Sequence, residues 1–247
     1  MKCRCCNKEL NDILLDLNFA PLSNSYIKNP YPKDFYEKYY PLVVYYCTKC
    51  WFVQSNTFNN PKEIFNEEYA YLSSASKTFL NHCKIYVDDI IKRLNLKSNK
   101  SLVMEIASND GYLLNFFKKK GINVLGVEPS KSVAFIAKKK GINTIIKFFG
   151  LKTALKLSKF NYEADLIVLK NVLAHVPNIN DFVSGLPLVL KKNGQITIEF
   201  PHVLELIKKN QFDTIYHEHF TYLSITFLVK LFHKHNLKIH DVEKLKT

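Results

Sequence analysis

The 247-residue chain has no apolar run approaching the roughly 20 residues that a bilayer-spanning helix needs, which excludes an ordinary membrane helix. No apolar core follows the opening Met1-Lys2-Cys3-Arg4-Cys5-Cys6, so no secretory leader is expected and the chain is assigned to the cytoplasm. There is no internal repeat and no low-complexity segment, which excludes a repeat array. A long basic tail and an RNA-recognition signature are also missing. Nucleic acid is therefore not the expected partner, although 35 Lys+Arg against 22 Asp+Glu leave a net charge of +13. The lysines occur in short runs (118–120, 138–140, 191–192), each near a predicted helix C-terminus, where cations oppose the negative end of the helix dipole. A lysine-rich solvated surface accounts for them, and a phosphate-bearing substrate would also suit such a surface.

What is present is enough for one large domain or two small ones, with 47% hydrophobic and 23% charged residues. Four of the 6 cysteines form two Cys-x-x-Cys pairs, Cys3/Cys6 and Cys47/Cys50. In a reducing compartment such pairs more often hold metal than form disulfides. Two pairs supply a closed tetrahedral shell for one zinc ion with a structural role. Cys5 reads as a spectator. The plain alternative, four free thiols in a core, requires two independent pairs to coincide by chance.

Residues 1–60 read as loops and short strands around the cysteines, with a strand at 40–47 leading into the second pair. A helix follows over 76–95, and Cys83 falls on its apolar stripe as a small buried hydrophobe. From 101 onward short apolar strands (102–107, 123–127, 143–148, 165–169, 195–200) alternate with amphipathic helices (near 112–120, 130–140, 151–158, 179–191). That alternation implies a parallel, doubly wound α/β sheet. A helix near 224–235 and a strand at 237–242 are expected to follow. The domain reading is a zinc-binding unit at 1–60, a helical linker and lid at 61–98, and a catalytic α/β domain at 99–247.

The segment Glu105-Ile106-Ala107-Ser108-Asn109-Asp110-Gly111 ends the first strand of that sheet and opens a helix. Its single glycine argues against a dinucleotide fingerprint, which needs three. An acidic residue opening the loop, with no pyrophosphate to cradle, fits S-adenosylmethionine instead. Glu128, in Gly126-Val127-Glu128-Pro129-Ser130, ends the second strand, where a carboxylate can accept from both ribose hydroxyls. Residues 170–176, with Asn171 and His175, would cross the cofactor at the same rim. In Tyr216-His217-Glu218-His219 a histidine can act as general base, Glu218 can modulate charge and Tyr216 offers a phenol. A second metal site and a plain polar loop stand as alternatives there.

The three segments 105–114, 126–130 and 216–219, together with the cysteine pairs, resemble the sugar C-methyltransferases that make branched deoxysugars. The resemblance runs over essentially the whole chain. It implies a class I S-adenosylmethionine-dependent methyltransferase fold, Rossmann-like, with a small N-terminal zinc-binding domain. The implied substrate is a nucleotide-linked 4-keto-6-deoxysugar, usually a thymidine diphosphate sugar, methylated at carbon 3 through an enolate. By resemblance the base maps onto His219, with Glu218 and Tyr216 beside it and His175 as a second active-site histidine. Tyr69-Ala70-Tyr71-Leu72-Ser73-Ser74 matches a substrate lid, placing Tyr71, Ser73 and Ser74 at the sugar. Glu105, Ala107, Asn109, Asp110, Gly111, Glu128, Pro129 and Asn171 would line the cofactor. A monomer is expected, with no membrane partner. Ala107 stands where the family commonly has glycine. Family members continue beyond position 247 into a further domain, and the last, antiparallel strand of the sheet is expected there. RNA or protein methylation with the zinc unit as a reader, and a non-catalytic remnant, are the competing readings.

Overall fold

The computed structural model describes residues 1–24, 26–27, 36–56 and 71–245. The N-terminal strands β1 (Ile13–Ala20), β2 (Tyr40–Tyr46) and β3 (Val53–Ser55) pair antiparallel in the order of the chain. β2 and β3 form a hairpin with Val44 opposite Ser55 and Tyr46 opposite Val53. The connection between them is the turn that carries Cys47 and Cys50. It is closed by the Cys47 N–H donating to Phe52 O at 2.9 Å, and Trp51 takes a left-handed φ of 66°. The fourth strand of this sheet, β9 (Thr221–Tyr222), comes from far down the chain and pairs Val53 with Tyr222 and Gln54 with Thr221.

Helix α1 (Lys77–Arg93) begins at Ser76, whose Oγ accepts from the Phe79 N–H, and ends with Lys92 and Arg93 against the negative end of its dipole. It buries Cys83, Val87 and Ile90 against α2 (Tyr112–Lys119). The second sheet has the order β6-β5-β4-β7-β8, all parallel: β4 (Leu102–Ile106), β5 (Asn123–Val127), β6 (Thr144–Ile145), β7 (Ala164–Lys170) and β8 (Leu190–Glu199). Helix α2 and helices α3 (Lys131–Lys139), α4 (Leu151–Lys159) and α5 (Ile179–Gly185) are the crossovers. Strand side chains alternate between faces. Val103, Leu166 and Val168 lie under α1 and α2, while Met104, Ile106, Ile167 and Leu169 pack toward α4 and α5. The central strands are apolar on both sides, as a covered parallel sheet requires.

After β8 come the short α6 (Val203–Lys208), β9 and α7 (Ile225–Lys234). Phe227, Leu228 and Leu231 of α7 share one apolar cluster with Cys3, Cys47 and Phe52. The Phe52 and Phe227 rings lie 4.6 Å apart. The cysteine turns and the α/β layer thus have a common core.

Three expectations are corrected. The helix expected over 179–191 stops at Gly185. Pro187 lacks an N–H and cannot continue it, so a short 3-10 turn (Leu186–Val189) follows and β8 starts at Leu190 rather than 195. The strand expected at 143–148 shrinks to Thr144–Ile145, at the sheet edge. No strand forms at 237–242. Leu237 and Ile239 pack against the core cluster, but no described strand edge pairs with them, and apolar alternation without a ladder partner does not make a strand.

Candidate active site

The loop after β4 is built from left-handed residues: Ala107 (φ 57°), Asn109 (φ 48°) and Gly111 (φ 72°). The Ala107 and Ser108 amides donate to Val127 O, at 2.7 and 3.3 Å, which ties the loop to the end of β5. Gly126 makes room for it, since a Cβ there would lie 2.4 Å from Ser108 Oγ. Glu128 is buried and accepts the Asn109 N–H at 2.9 Å on one oxygen and the Ser130 N–H at 2.9 Å on the other. Burial pushes its carboxyl up to about 7, against the pull of those two amides. Pro129 then leads the chain into α3, and Asn171 (φ 54°) follows β7 at the same rim.

Glu105 is 1% exposed, and among the described residues neither carboxylate oxygen has a hydrogen-bond partner at normal geometry; burial pushes this carboxyl well above its usual range, against the pull of the Tyr112 phenol. Among the described residues Ser108 Oγ and Asp110 Oδ1 are likewise buried without a partner, while Asp110 Oδ2 pairs with Lys140 Nζ at 2.8 Å. Unpartnered buried acceptors are costly. Here they gather around one loop, which suits a ligand rich in N–H and O–H donors such as S-adenosylmethionine. The Asn109 side chain also reaches outward. Its Nδ2 donates to Tyr71 O at 3.1 Å and its Oδ1 accepts the Ser73 N–H at 3.0 Å. Tyr71, Ser73 and Ser74 are thereby set over the loop; Tyr69 and Ala70 lie outside the described residues.

The histidine turn is the second half of the site. His219 Nδ1 lies 2.7 Å from Thr214 O. A carbonyl only accepts, so Nδ1 carries the proton and Nε2 is left as the lone pair, accepting from the Tyr216 phenol at 2.8 Å. Burial lowers His219 below its ordinary value despite that carbonyl. The His175 ring stands 4.7 Å away with its Nδ1 donating to Glu218 O at 3.0 Å; burial, then the proximity of His219, takes His175 down to about 3. Burial, then Glu218 and Tyr71, raises the Tyr216 phenol to about 12. Both histidines are therefore neutral near pH 7 and Tyr216 keeps its proton.

The Glu218 carboxylate turns to the N-terminal unit, accepting from Asn24 Nδ2 at 2.6 Å and Ser23 Oγ at 3.2 Å. His217 points elsewhere, its Nε2 3.2 Å from Tyr40 O. His217 and His219 bond different backbone carbonyls, and among the described residues this stretch forms no group of side chains that could hold a metal ion. Sequence reasoning missed the contacts of Ser23, Asn24 and His217, and also a buried cluster at the ends of β7 and β8. In that cluster Lys170 pairs with Glu199, His82 Nε2 lies 2.8 Å from the same oxygen, and Lys170 sits 4.2 Å from the centre of the Tyr86 ring. Burial alone would raise Glu199, but Lys170 and His82 outweigh it and hold the carboxyl below its usual range. Only the strand-end position of Lys170 and Glu199 hinted at this cluster.

The Sγ atoms of Cys3, Cys6, Cys47 and Cys50 all lie within 4.8 Å of one another, with Cys3–Cys50 and Cys6–Cys47 at 3.6 Å. Tetrahedral thiolate zinc implies sulfur–sulfur edges of about 3.8 Å, so this donor set fits zinc with no open position. Cys5 stands outside the group. Asn180 of α5 donates to the carbonyls of Arg4 and Cys5, at 3.3 and 3.1 Å, and docks the first turn on the α/β layer.

Residues 3–65 match the family model described as "Putative zinc binding domain", and residues 79–242 match the one described as "Methyltransferase domain". The chain is 34% identical over 206 residues to the C-methyltransferase NovU of Streptomyces niveus, covering 83% of this chain and 49% of NovU. It thus spans about half the length of the curated relative it matches. Among solved structures it resembles the plantazolicin methyltransferase BpumL in complex with SAH (TM-score 0.54, 15% identity, 70% of this chain and 72% of that one). It also resembles the magnesium protoporphyrin IX methyltransferase of Synechocystis PCC 6803 with bound SAH (TM-score 0.52, 15% identity, 68% and 77%). At that identity the likeness shows the fold: that of the S-adenosylmethionine-dependent methyltransferases.

Proposed function

Because this chain belongs to the methyltransferase-domain family, we propose that it methylates a carbon of a nucleotide-linked 4-keto-6-deoxysugar, at C-3 next to the ketone. The observation that carries this reading is the neutral His219. Its Nε2 lone pair accepts from Tyr216, and the Tyr71 carbonyl is tied to Asn109 of the cofactor loop.

S-adenosylmethionine, when bound, supplies an electrophilic methyl group. Glu105, Ala107, Asn109, Asp110 and Gly111 hold it at the end of β4, Glu128 accepts from its ribose, and Pro129 and Asn171 line the same rim. Tyr71, Ser73 and Ser74, fixed by Asn109, cover the sugar. Once the Tyr216 phenol turns from His219 Nε2 toward the substrate, that lone pair takes the proton from C-3, which an adjacent ketone acidifies. The Tyr216 phenol, still protonated, can donate to the developing enolate oxygen. His175, held neutral, packs against the His219 ring and fixes its orientation without competing as a cation. Glu218, anchored by Ser23 and Asn24, places the turn. The thiolates of Cys3, Cys6, Cys47 and Cys50 would hold a structural zinc ion, which takes no part in these steps. The basic surface suits a substrate diphosphate, thymidine-linked by resemblance.

The test is transfer from methyl-labelled S-adenosylmethionine to a panel of nucleotide-linked sugars. Label appearing on a carbon of the 4-keto-6-deoxy members, and absent from the 4-hydroxy members, is the expected result. Label in RNA or protein and in none of the sugars contradicts the proposal.

A further inference from the structure

Arg4 lies in the first Cys-x-x-Cys turn, and its half-buried side chain reaches across to β3 and the residue after His219. Its Nη1 donates to Ser55 O at 2.8 Å and its Nη2 to Phe220 O. Ser55 repeats the grip: its N–H donates to Phe220 O at 3.1 Å and its Oγ to His219 O at 2.8 Å. The carbonyls of His219 and of the next residue are thus both held from the N-terminal unit. The backbone N–H of Arg4 donates to Oε1 of the fully buried Gln54 at 2.8 Å, and Gln54 Nε2 donates back to Lys2 O at 3.3 Å. β3 is therefore braced to the first cysteine turn, emerges directly from the second, and pairs with β9 just past His219. A planar guanidinium with a fork of donors can span two carbonyls; an ammonium is a single point charge and cannot hold that geometry.

We propose that Arg4 and Ser55 are positioning residues for His219, fixing the backbone on which the imidazole is carried, so that the cysteine unit sets the geometry of proton abstraction. This rests on the reading of His219 as the base. The two residues touch neither substrate nor cofactor and act only through the peptide units of 219 and 220. Around the imidazole, the titratable neighbours are Tyr216 on its own turn, His175 from the segment after β7 and Tyr222 from β9. Loosening the turn lets water reach His219, which moves its titration up toward the ordinary histidine value.

The experiment compares wild type with Arg4→Lys and Ser55→Ala. It measures zinc content, S-adenosylmethionine affinity by calorimetry, turnover against pH, and the His219 ring titration by NMR, assigned from the signal lost in His219→Gln. Expected for Arg4→Lys are full zinc, cofactor affinity within about twofold, turnover at least about tenfold lower, and a His219 midpoint shifted upward with the acidic limb of the rate profile. Ser55→Ala moves both in the same direction by less. The proposal is overturned if turnover and the His219 midpoint stay at wild type. It is equally overturned if turnover falls only in proportion to zinc-loaded protein while the midpoint does not move. Should Arg4→Lys fail to fold, Ser55→Ala decides by the same criteria. If His219→Gln keeps its turnover, the base reading fails, yet the midpoint in Arg4→Lys still reports whether Arg4 positions the ring.

Discussion

The cofactor loop and the histidine turn lie at one rim of the parallel sheet, but they are held from different sides. Residues 105–111 are fixed by their own layer: amides to Val127 O, Asn109 to Glu128, Asp110 to Lys140. The turn that ends in His219 takes much of its support from a unit more than 160 residues earlier, through Ser55 Oγ on His219 O, Arg4 on Phe220 O and Asn24 on Glu218. The half proposed to hold the methyl donor is a local product of the α/β fold. The half proposed to handle the proton depends on tertiary contacts with the cysteine unit. Damage to one half should therefore leave the other readable.

The largest separation comes from removing the metal. A structural thiolate site contributes on the order of 10 kcal/mol of folding free energy. Cys47→Ser/Cys50→Ser should lose zinc and, with it, amide-exchange protection at 220–222, while 103–106 of β4 stay protected. Equal loss in both segments would erase the distinction. The reverse break is Glu128→Ala. Losing a charged acceptor costs about 1.5–3 kcal/mol, a roughly ten- to hundredfold weaker cofactor affinity, with the histidine turn unchanged in its NMR signals.

Acid sharpens the same contrast. Glu128 titrates at about 7 in the folded chain against 4.5 in the reference state, because burial disfavours its charge. As pH rises from 4.5 through 7, the native carboxyl must ionise while buried. The stability it lends the free protein below 4.5 is lost over that window. If Glu128 accepts from the ribose as proposed, the ionised form is the binding form, so cofactor affinity should rise over the same window, and Glu128→Gln should flatten that rise. Calorimetry at a series of pH values reads both slopes. The smallest effect expected is at Ala107, whose left-handed φ of 57° suits glycine better. Ala107→Gly should stabilise the chain by about 0.5–1 kcal/mol in denaturant unfolding, and no gain would mean that the loop relaxes the strain otherwise.

The same contrast explains what was legible in the sequence. The cysteine pairs, β4, β5 and β7, and the strand-end positions of Glu105 and Glu128 were readable because spacing and strand ends are local features. The strain at Ala107 was foreshadowed by an alanine where glycine is usual. Ser23, Asn24, Arg4 and Ser55 were not readable, since each acts on a peptide or carboxylate 164 to 216 positions away and carries no spacing signal of its own. Pro187 could have ended the helix expected over 179–191. The strand expected at 237–242 followed from alternation alone, which does not reveal whether a partner edge exists.

Solvent deuterium exchange at C-3 of a nucleotide-linked 4-keto-6-deoxysugar, in the presence of the cofactor product and without methyl transfer, isolates the proton step. Wild type should wash in deuterium. His219→Gln should do so about 10²–10⁴-fold more slowly, with cofactor affinity unchanged, because a positioned base has been removed and the cofactor loop has not. Exchange by His219→Gln at the wild-type rate would contradict the assignment of the proton step to the histidine turn.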